Sequence, residues 1–122
     1  MERIYISGPI TGHEDYLAEF ASMEDELKAR FNGEVEVINP ARICANLPES
    51  TDWEEYMNIC LILVEMATVI YMMPGWKESA GACVEYGYAR ALGRKIYNVE
   101  SCKSRRNGIW KRSLEHLRRL MN

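Results

Sequence analysis

Residues 68–99 read TVIYMMPGWKESAGACVEYGYARALGRKIYNV, and this stretch decides the fold. Thr68 to Met73 is a run of apolar and β-branched residues that stops at a Pro-Gly pair, which is typical of a buried strand. The next segment starts at Ser79, a preferred N-cap residue, and ends at Gly93, a typical helix end. Lys95 to Val99 has the character of another strand. The stretch therefore predicts a strand-helix-strand unit with parallel strands.

The same alternation of strand-like and helix-like segments runs through the rest of the chain. Arg3 to Ser7 and Val35 to Ile38 are two further predicted strands. With right-handed crossovers, the four strands form a parallel sheet in the order 2-1-3-4 with helices on both faces. This is a flavodoxin-like or Rossmann-like α/β fold, in which a fifth strand is left open. We expect one domain that spans residues 1–122.

Start and stop signals predict the helices that connect these strands. Two S/T-x-x-E capping boxes mark helix starts: Thr11 with Glu14, and Thr51 with Glu54. The first of these helices is predicted to end at Asn32-Gly33, and a last helix is predicted from about Asn107. We expect residues 40–50 to be irregular.

Composition and charge limit the classes of function. The 122-residue chain is 48% hydrophobic and has a formal net charge of −3, so it has no bulk attraction to a nucleic acid polymer or an anionic membrane. We expect neither as a partner. No apolar run approaches the roughly 20 residues of a membrane span, and no signal peptide precedes the first strand. We therefore expect a cytoplasmic protein.

The residues that commonly bind metals show no metal-binding pattern. The chain has four cysteines, which lack C-x-x-C spacing and are interpreted as reduced: Cys44, Cys60, Cys83 and Cys102. The two histidines, His13 and His116, are interpreted as solvent-exposed. We expect no metal and no organic cofactor.

Two glycine-containing loops meet at the predicted ligand crevice, outside the carboxyl ends of strands 1 and 3. They are residues 8–12, GPITG, and residues 74–81, PGWKESAG. Backbone N–H groups at a helix start, with glycines that permit close approach, suit an anion such as phosphate, and Ser79 could add a hydroxyl donor. Neither loop is a Walker A or a G-x-G-x-x-G motif. Simple turn and cap residues are therefore an equal interpretation of each loop.

Glu85 is the one carboxylate in an otherwise small, apolar or aromatic stretch from Ala80 to Ala89. Burying a lone carboxylate is costly unless it has a role. Beside a sugar, it could attack or stabilise the oxocarbenium-like carbon that forms when a glycosidic bond breaks. Tyr5, on the first predicted strand, is interpreted either as the phenol that orients this carboxylate or as plain strand core.

Four motifs together resemble the nucleoside 2-deoxyribosyltransferase superfamily, and within it most closely the group called DUF4406. They are Tyr5-Ile6-Ser7-Gly8-Pro9-Ile10-Thr11-Gly12, Tyr71-Met72-Met73-Pro74-Gly75-Trp76, Ser79-x-Gly81-Ala82-x-x-Glu85 and Ala89-x-Ala91-Leu92-Gly93. The resemblance covers nearly all of the chain up to about residue 100. The same superfamily contains 2′-deoxynucleoside 5′-monophosphate N-glycosidases.

The resemblance implies cleavage or transfer of the bond between a nucleobase and 2-deoxyribose, with Glu85 as nucleophile and Tyr5 as its catalytic neighbour. It implies substrate contacts at Ser7, Gly8, Pro9, Ile10, Thr11, Gly12, Gly75, Trp76, Ser79, Gly81 and Ala82. It also implies a homodimer or higher oligomer whose neighbouring subunit completes the pocket. Trp53 and Tyr56 would suit such an interface, with ordinary core as the other interpretation.

Two positions depart from the pattern of the superfamily. Relatives commonly carry an aspartate where this chain has Cys60, and another acid where it has Thr68. Losing a general acid costs on the order of 100-fold to 10,000-fold in rate, and a thiol with a pKa of about 8.5 is mostly neutral. Two functions therefore remain open: an N-glycosidase or deoxyribosyltransferase, and a catalytically impaired nucleotide-binding protein that acts as a sensor or sequesters its ligand. Acids near the start of the second helix are candidate substitutes: Asp52, Glu54 and Glu55.

Overall fold

Four parallel strands form one sheet in the order predicted from the sequence. The computed structural model describes residues 1–98 of the chain, so the predicted last helix from about Asn107 lies outside the described residues. The strands are β1 (Glu2–Ser7), β2 (Val35–Ile38), β3 (Val69–Met72) and β4 (Lys95–Asn98). Their order is β2-β1-β3-β4, and every neighbouring pair is parallel. The predicted 2-1-3-4 sheet of an α/β domain is therefore confirmed.

Helices pack on both faces of this sheet. They are α1 (Tyr16–Arg30), α2 (Pro40–Ile43), α3 (Trp53–Met66) and α4 (Ala80–Ala91), and two single 3₁₀ turns lie at Cys44–Asn46 and Trp76–Glu78. Side chains alternate along β1, because successive residues of a strand point to opposite faces. Ile4 and Ile6 join the apolar cluster under α1, whereas Tyr5 joins the cluster under α3 and α4. Among residues 1–98, no helix combines the length and apolar character that a membrane crossing requires.

The predicted end of α1 and the predicted start and end of α4 are confirmed. Asn32 and Gly33 both have positive φ, and the Gly33 N–H donates to the Lys28 carbonyl at 2.9 Å, which closes α1. The Ser79 side chain accepts from the Ala82 N–H at 3.2 Å and caps α4. Gly93 follows α4 with φ of +72°, a conformation that favours glycine.

Both predicted capping boxes are wrong in position. Thr11 and Glu14 do not begin α1, because Gly12 turns the chain at φ +81° and the helix starts only after Asp15. In α3 the box is shifted by one residue. Asp52 accepts from the Glu55 N–H at 2.8 Å and the Glu55 carboxylate accepts from the Asp52 N–H at 3.0 Å. Two overlapping T/D-x-x-E frames lie in this segment, and the charged aspartate is the stronger acceptor.

The segment expected to be irregular, residues 40–50, contains α2 and a 3₁₀ turn. Asn39 caps α2 by accepting from the Arg42 N–H at 3.2 Å, and Pro40 occupies the first turn. Asparagine followed by proline is a helix-start signal, because proline has no N–H to leave unbonded at that position. The helix was not predicted because it has only four residues.

Candidate active site

A cavity of about 650 Å³ opens at the carboxyl ends of the strands. Its walls come from the loop after β1, the segment after β2, and the first turns of α3 and α4. The predicted position of the crevice at this end of the sheet matches the general rule for open parallel sheets. The volume lies in the range of pockets that enclose drug-sized ligands.

Glu85 lies in the second turn of α4 with its carboxylate held by two hydroxyl groups of β1. It is 6% exposed and lines the cavity. The Tyr5 hydroxyl donates to Oε2 at 2.7 Å, and the Ser7 hydroxyl donates to Oε1 at 2.6 Å. Tyr5 and Ser7 share one face of β1 because they are two residues apart. The structure thus brings Tyr5 and Glu85 together as the sequence analysis expected.

Ser7 has a different position from the one that the resemblance implied. It is fully buried, and its hydroxyl is bonded to Glu85. It therefore lies behind the carboxylate and is not part of the cavity wall in the described residues. Sequence alone contained a signal for this contact, since the Tyr5-x-Ser7 spacing places both hydroxyls on the same face.

The electrostatics of the site favour an ionised Glu85 beside neutral hydroxyls at pH 7. Burial raises the pKa of Glu85 to about 6 from a usual 4.5, and hydrogen bonds from Ser7 and Tyr5 oppose that shift. Burial and the charge of Glu85 raise the pKa of the Tyr5 phenol well above its usual value. Tyr5 therefore stays protonated and donates its proton in the hydrogen bond to the carboxylate.

Cys60 lies in α3 next to Tyr5 and Glu85, and it is 1% exposed. Burial and the charge of Glu85 raise the pKa of its thiol to about 12. The thiol is therefore neutral at pH 7 and does not replace the negative charge of an aspartate. Asp52, one of the candidate substitutes, lies on the cavity wall, and Glu55 is engaged in its capping box.

A contact that sequence reasoning missed joins Cys60 to the segment after β2. Burial raises the pKa of the Cys44 thiol, the neighbouring Cys60 thiol opposes that shift, and Cys44 also lines the cavity. Both cysteines are free, as is the exposed Cys83. No local pattern could have indicated this contact, because the two residues lie on different elements that meet only in the folded chain.

The first glycine loop follows the cavity wall over most of its length. Residues 8–11 line the cavity, whereas Gly12 does not. A Cβ at Gly8 would lie 2.9 Å from the Cβ of Met73, so only glycine fits there without displacing Met73, the residue that follows β3. His13 also lines the cavity and lies near Glu19, with 3.6 Å between Nδ1 and Oε1. It is exposed, as expected, and His116 lies outside the described residues.

The second loop is divided between the cavity and the core. Ser79, Gly81 and Ala82 line the cavity at the N-terminus of α4, where free N–H groups and the helix dipole favour an anion. Gly75 and Trp76 are not among the lining residues. The Trp76 ring is buried, and its Nε1 donates to Asn98 at 3.0 Å. Gly75 and Trp76 therefore support the loop from behind.

The described residues offer no evident metal centre. Within residues 1–98, no three His, Cys, Asp or Glu side chains are grouped so that they could hold a metal ion.

The chemistry that this arrangement can perform is that of a buried, ionised carboxylate beside a cavity of nucleoside size.

Comparisons with known proteins are consistent with this architecture. The profile of the family described as "Domain of unknown function (DUF4406)" matches residues 2–98. The fold is similar to that of a solved structure, a 2-desoxiribosyltransferase from Leishmania mexicana, with 22% identity and a TM-score of 0.60. The match covers 80% of this chain and 63% of that protein, so the chain spans less than two thirds of its length. No curated protein matches the chain.

Proposed function

Because the chain belongs to the family described as "Domain of unknown function (DUF4406)" and has the fold of a 2-desoxiribosyltransferase, we propose that it cleaves or transfers an N-glycosidic bond. The substrate is a 2′-deoxynucleoside or a 2′-deoxynucleoside 5′-monophosphate, and Glu85 is the nucleophile. One observation carries this proposal. A single buried carboxylate, bonded to two hydroxyls, faces a cavity large enough for a nucleoside.

The proposed reaction uses Glu85 as nucleophile and takes the proton for the leaving base from solvent, because the neutral Cys60 thiol replaces the usual acid. A carboxylate oxygen of Glu85 bonds to C1′ of the deoxyribose, and the C1′–N bond breaks with its electron pair leaving on the base, which takes a proton from solvent. Water, or the nitrogen of a second base, then attacks C1′, loses a proton and frees the carboxylate. Tyr5 and Ser7 hold the carboxylate in place, so that less freedom is lost when the bond forms.

A second candidate function follows from Cys60. A neutral thiol with a pKa of about 12 does not act as the carboxylate that relatives carry at this position. In this alternative the protein binds a nucleotide without turning it over, as a sensor or a sequestering protein.

Base release from a panel of 2′-deoxynucleosides and their 5′-monophosphates tests these alternatives, with wild type, Glu85→Gln and Cys60→Asp measured side by side. The proposal expects release by wild type that is lost in Glu85→Gln. A silent wild type that is nevertheless stabilised against heat by a nucleotide supports the binding protein. Activity that appears only in Cys60→Asp indicates a protein that lacks only the acid at position 60 for catalysis. If no sample shows base release or stabilisation by a nucleotide, both functions are contradicted.

We also propose a cytoplasmic homodimer. The free cysteines of the described part of the chain suit a reducing compartment. Large apolar side chains are exposed along α3 and α4, with Ile62 58%, Met66 48% and Val84 43% exposed. Trp53 is 49% exposed at the cavity wall, where a second subunit would reach it. We expect Ile62→Glu to convert a dimer to a monomer in light scattering, and a wild-type monomer would contradict the proposal.

A further inference from the structure

Glu24 is a buried carboxylate that lies outside the cavity and plays no part in the proposed chemistry. It is on α1 and is 1% exposed. Lys28 Nζ lies 2.7 Å and Arg42 Nη2 2.8 Å from Oε2, and Asn39 Nδ2 donates to Oε1 at 3.1 Å. Lys28 belongs to α1 itself, whereas Asn39 and Arg42 belong to the segment after β2. The carboxylate therefore ties two separate elements together.

The segment held in this way forms part of the cavity wall, to which Pro40, Cys44, Leu47 and Pro48 contribute. Asn39 uses its amide nitrogen to reach Glu24 and its amide oxygen to cap α2. A helix of four residues has little stability of its own, so its position depends on such tertiary contacts. Pro40 and Cys44 from this segment line the cavity. A shift of α2 therefore changes the shape of the cavity.

We propose that Glu24 is a positioning residue for the candidate active site, because through Asn39 and Arg42 it fixes the cavity wall formed by residues 40–48. This role rests on the proposed function only in that the ligand is a nucleoside or nucleotide. Glu24 touches no part of the cavity among the described residues, so it acts on ligand binding through the wall and not on the reacting atoms.

Two neighbours of Glu24 provide a matched pair of variants. Lys28 and Arg42 bind the same carboxylate oxygen, and their side chains are 47% and 64% exposed. Arg42→Ala removes the contact that crosses to α2, and Lys28→Ala removes the contact that stays within α1. A merely stabilising carboxylate would respond to both losses alike, whereas a positioning carboxylate responds to the loss of Arg42. Glu24→Gln is informative only if it folds, so it is not required.

Cys44 offers a direct readout of the wall. It is 8% exposed, and its alkylation by iodoacetamide in the full-length protein, followed by peptide mass analysis, reports how often the wall opens. The exposed Cys83 reports the reactivity of the reagent itself. We expect Arg42→Ala to raise the Cys44 rate about tenfold, the size expected for a lost charged hydrogen bond. Lys28→Ala is expected to leave the Cys44 rate within about twofold, and both variants are expected to leave the Cys83 rate unchanged.

The same two variants are then compared in base release from a 2′-deoxynucleoside. We expect Arg42→Ala to raise KM severalfold with kcat within about twofold, since the wall does not touch the reacting atoms. Equal Cys44 rates in the two variants would overturn the proposal. An unchanged KM in a variant whose Cys44 is exposed would overturn it as well. If wild type neither binds nor turns over a nucleoside, the proposed function fails, and the Cys44 contrast alone then decides whether Glu24 fixes the wall.

Discussion

Glu24 and Glu85 are buried to a similar degree, at 1% and 6% exposed, but their surroundings differ in kind. The partners of Glu24 are an ammonium, a guanidinium and an amide NH₂ group, all of which can only donate. The partners of Glu85 are two hydroxyls, which can donate or accept, and the neutral thiol of Cys60. Neither Lys nor Arg contacts Glu85 in the described part of the chain.

The two pKa values move in opposite directions for this reason. Burial opposes the charge of Glu24, but hydrogen bonds from Lys28, Asn39 and Arg42 outweigh it, so the pKa of Glu24 lies below its usual value. The pKa of Glu85 is raised to about 6 because hydroxyls compensate for burial less well. A carboxylate that must lose its charge on bonding to a sugar is suited to hydroxyl partners. One that must stay charged to hold two elements together is suited to cations.

The largest expected difference between the two glutamates is catalytic. Glu85→Gln should lower the rate of base release roughly 1,000-fold or more, because the amide is a poor nucleophile. Glu24→Gln, measured on folded protein, should change kcat by less than about tenfold, because Glu24 lies away from the reacting atoms. Steady-state release assays on both variants check this, and equal losses of kcat would remove the distinction.

The free energy of unfolding should be affected more by the substitution of Glu24 than by that of Glu85, the reverse of the effect on catalysis. Glu24→Gln should lower the free energy of unfolding by about 2 kcal/mol, because charged hydrogen bonds are lost and the new NH₂ group faces donors. Glu85→Gln at pH 7.5 should leave stability unchanged or raise it by up to about 2 kcal/mol, since it removes a buried charge and hydroxyls can accept from an amide. Urea unfolding measures both values. A larger loss in Glu85→Gln than in Glu24→Gln would contradict the assignment.

The pH dependence of wild-type stability provides a smaller test. Because the pKa of Glu85 is raised from 4.5 to about 6 on folding, its ionisation lowers stability as the pH rises from 4.5 to 6, by up to about 2 kcal/mol in total. The stabilisation by Glu24 is present above pH 4.5 and is lost as the pH falls through its lowered pKa. Between pH 4.5 and 6, the unfolding free energy of Glu85→Gln should therefore fall less with rising pH than that of wild type. An identical slope in both would show that Glu85 is not the group responsible.

The smallest expected effect comes from one hydroxyl. Tyr5→Phe leaves Glu85 with fewer donors, so kcat/KM at pH 7 should fall about tenfold. The acid limb of the pH profile should also move above its wild-type midpoint near 6, since loss of the donor raises the pKa of Glu85. Tyr88→Phe, which removes a surface hydroxyl bonded to Glu65, is the matched control and should change neither. An unmoved acid limb in Tyr5→Phe would show that Tyr5 does not influence the pKa of Glu85.

Local sequence patterns predicted the sheet and the centre of the site. Strand and helix segments alternate clearly, and parallel strands of this order bring their carboxyl ends together. The sequence alone therefore predicts that Tyr5 lies near Glu85. The cap at Ser79 could be predicted because an N-cap depends only on the residues of its own turn. The roles of all site positions stay predictions, including those of Glu85, Tyr5, Gly12, Gly75 and Trp76.

What the sequence did not predict depends on packing between distant segments. The contacts of Glu24 could not be predicted, because its partners Asn39 and Arg42 lie beyond β2 in the chain. The contact of Cys44 with Cys60 is of the same kind. The wrong start of α1 has a local cause, since a glycine in the left-handed region outweighed a capping-box pattern.

The intact mass of wild-type protein, quenched in acid during turnover of a 2′-deoxynucleoside, tests the role of Glu85 most directly. We expect a fraction of the protein to gain the mass of one deoxyribosyl group, on the peptide that contains Glu85, and Glu85→Gln to gain none. Base release by wild type that persists undiminished in Glu85→Gln, or an adduct on another residue, would contradict the assignment of Glu85 as the nucleophile.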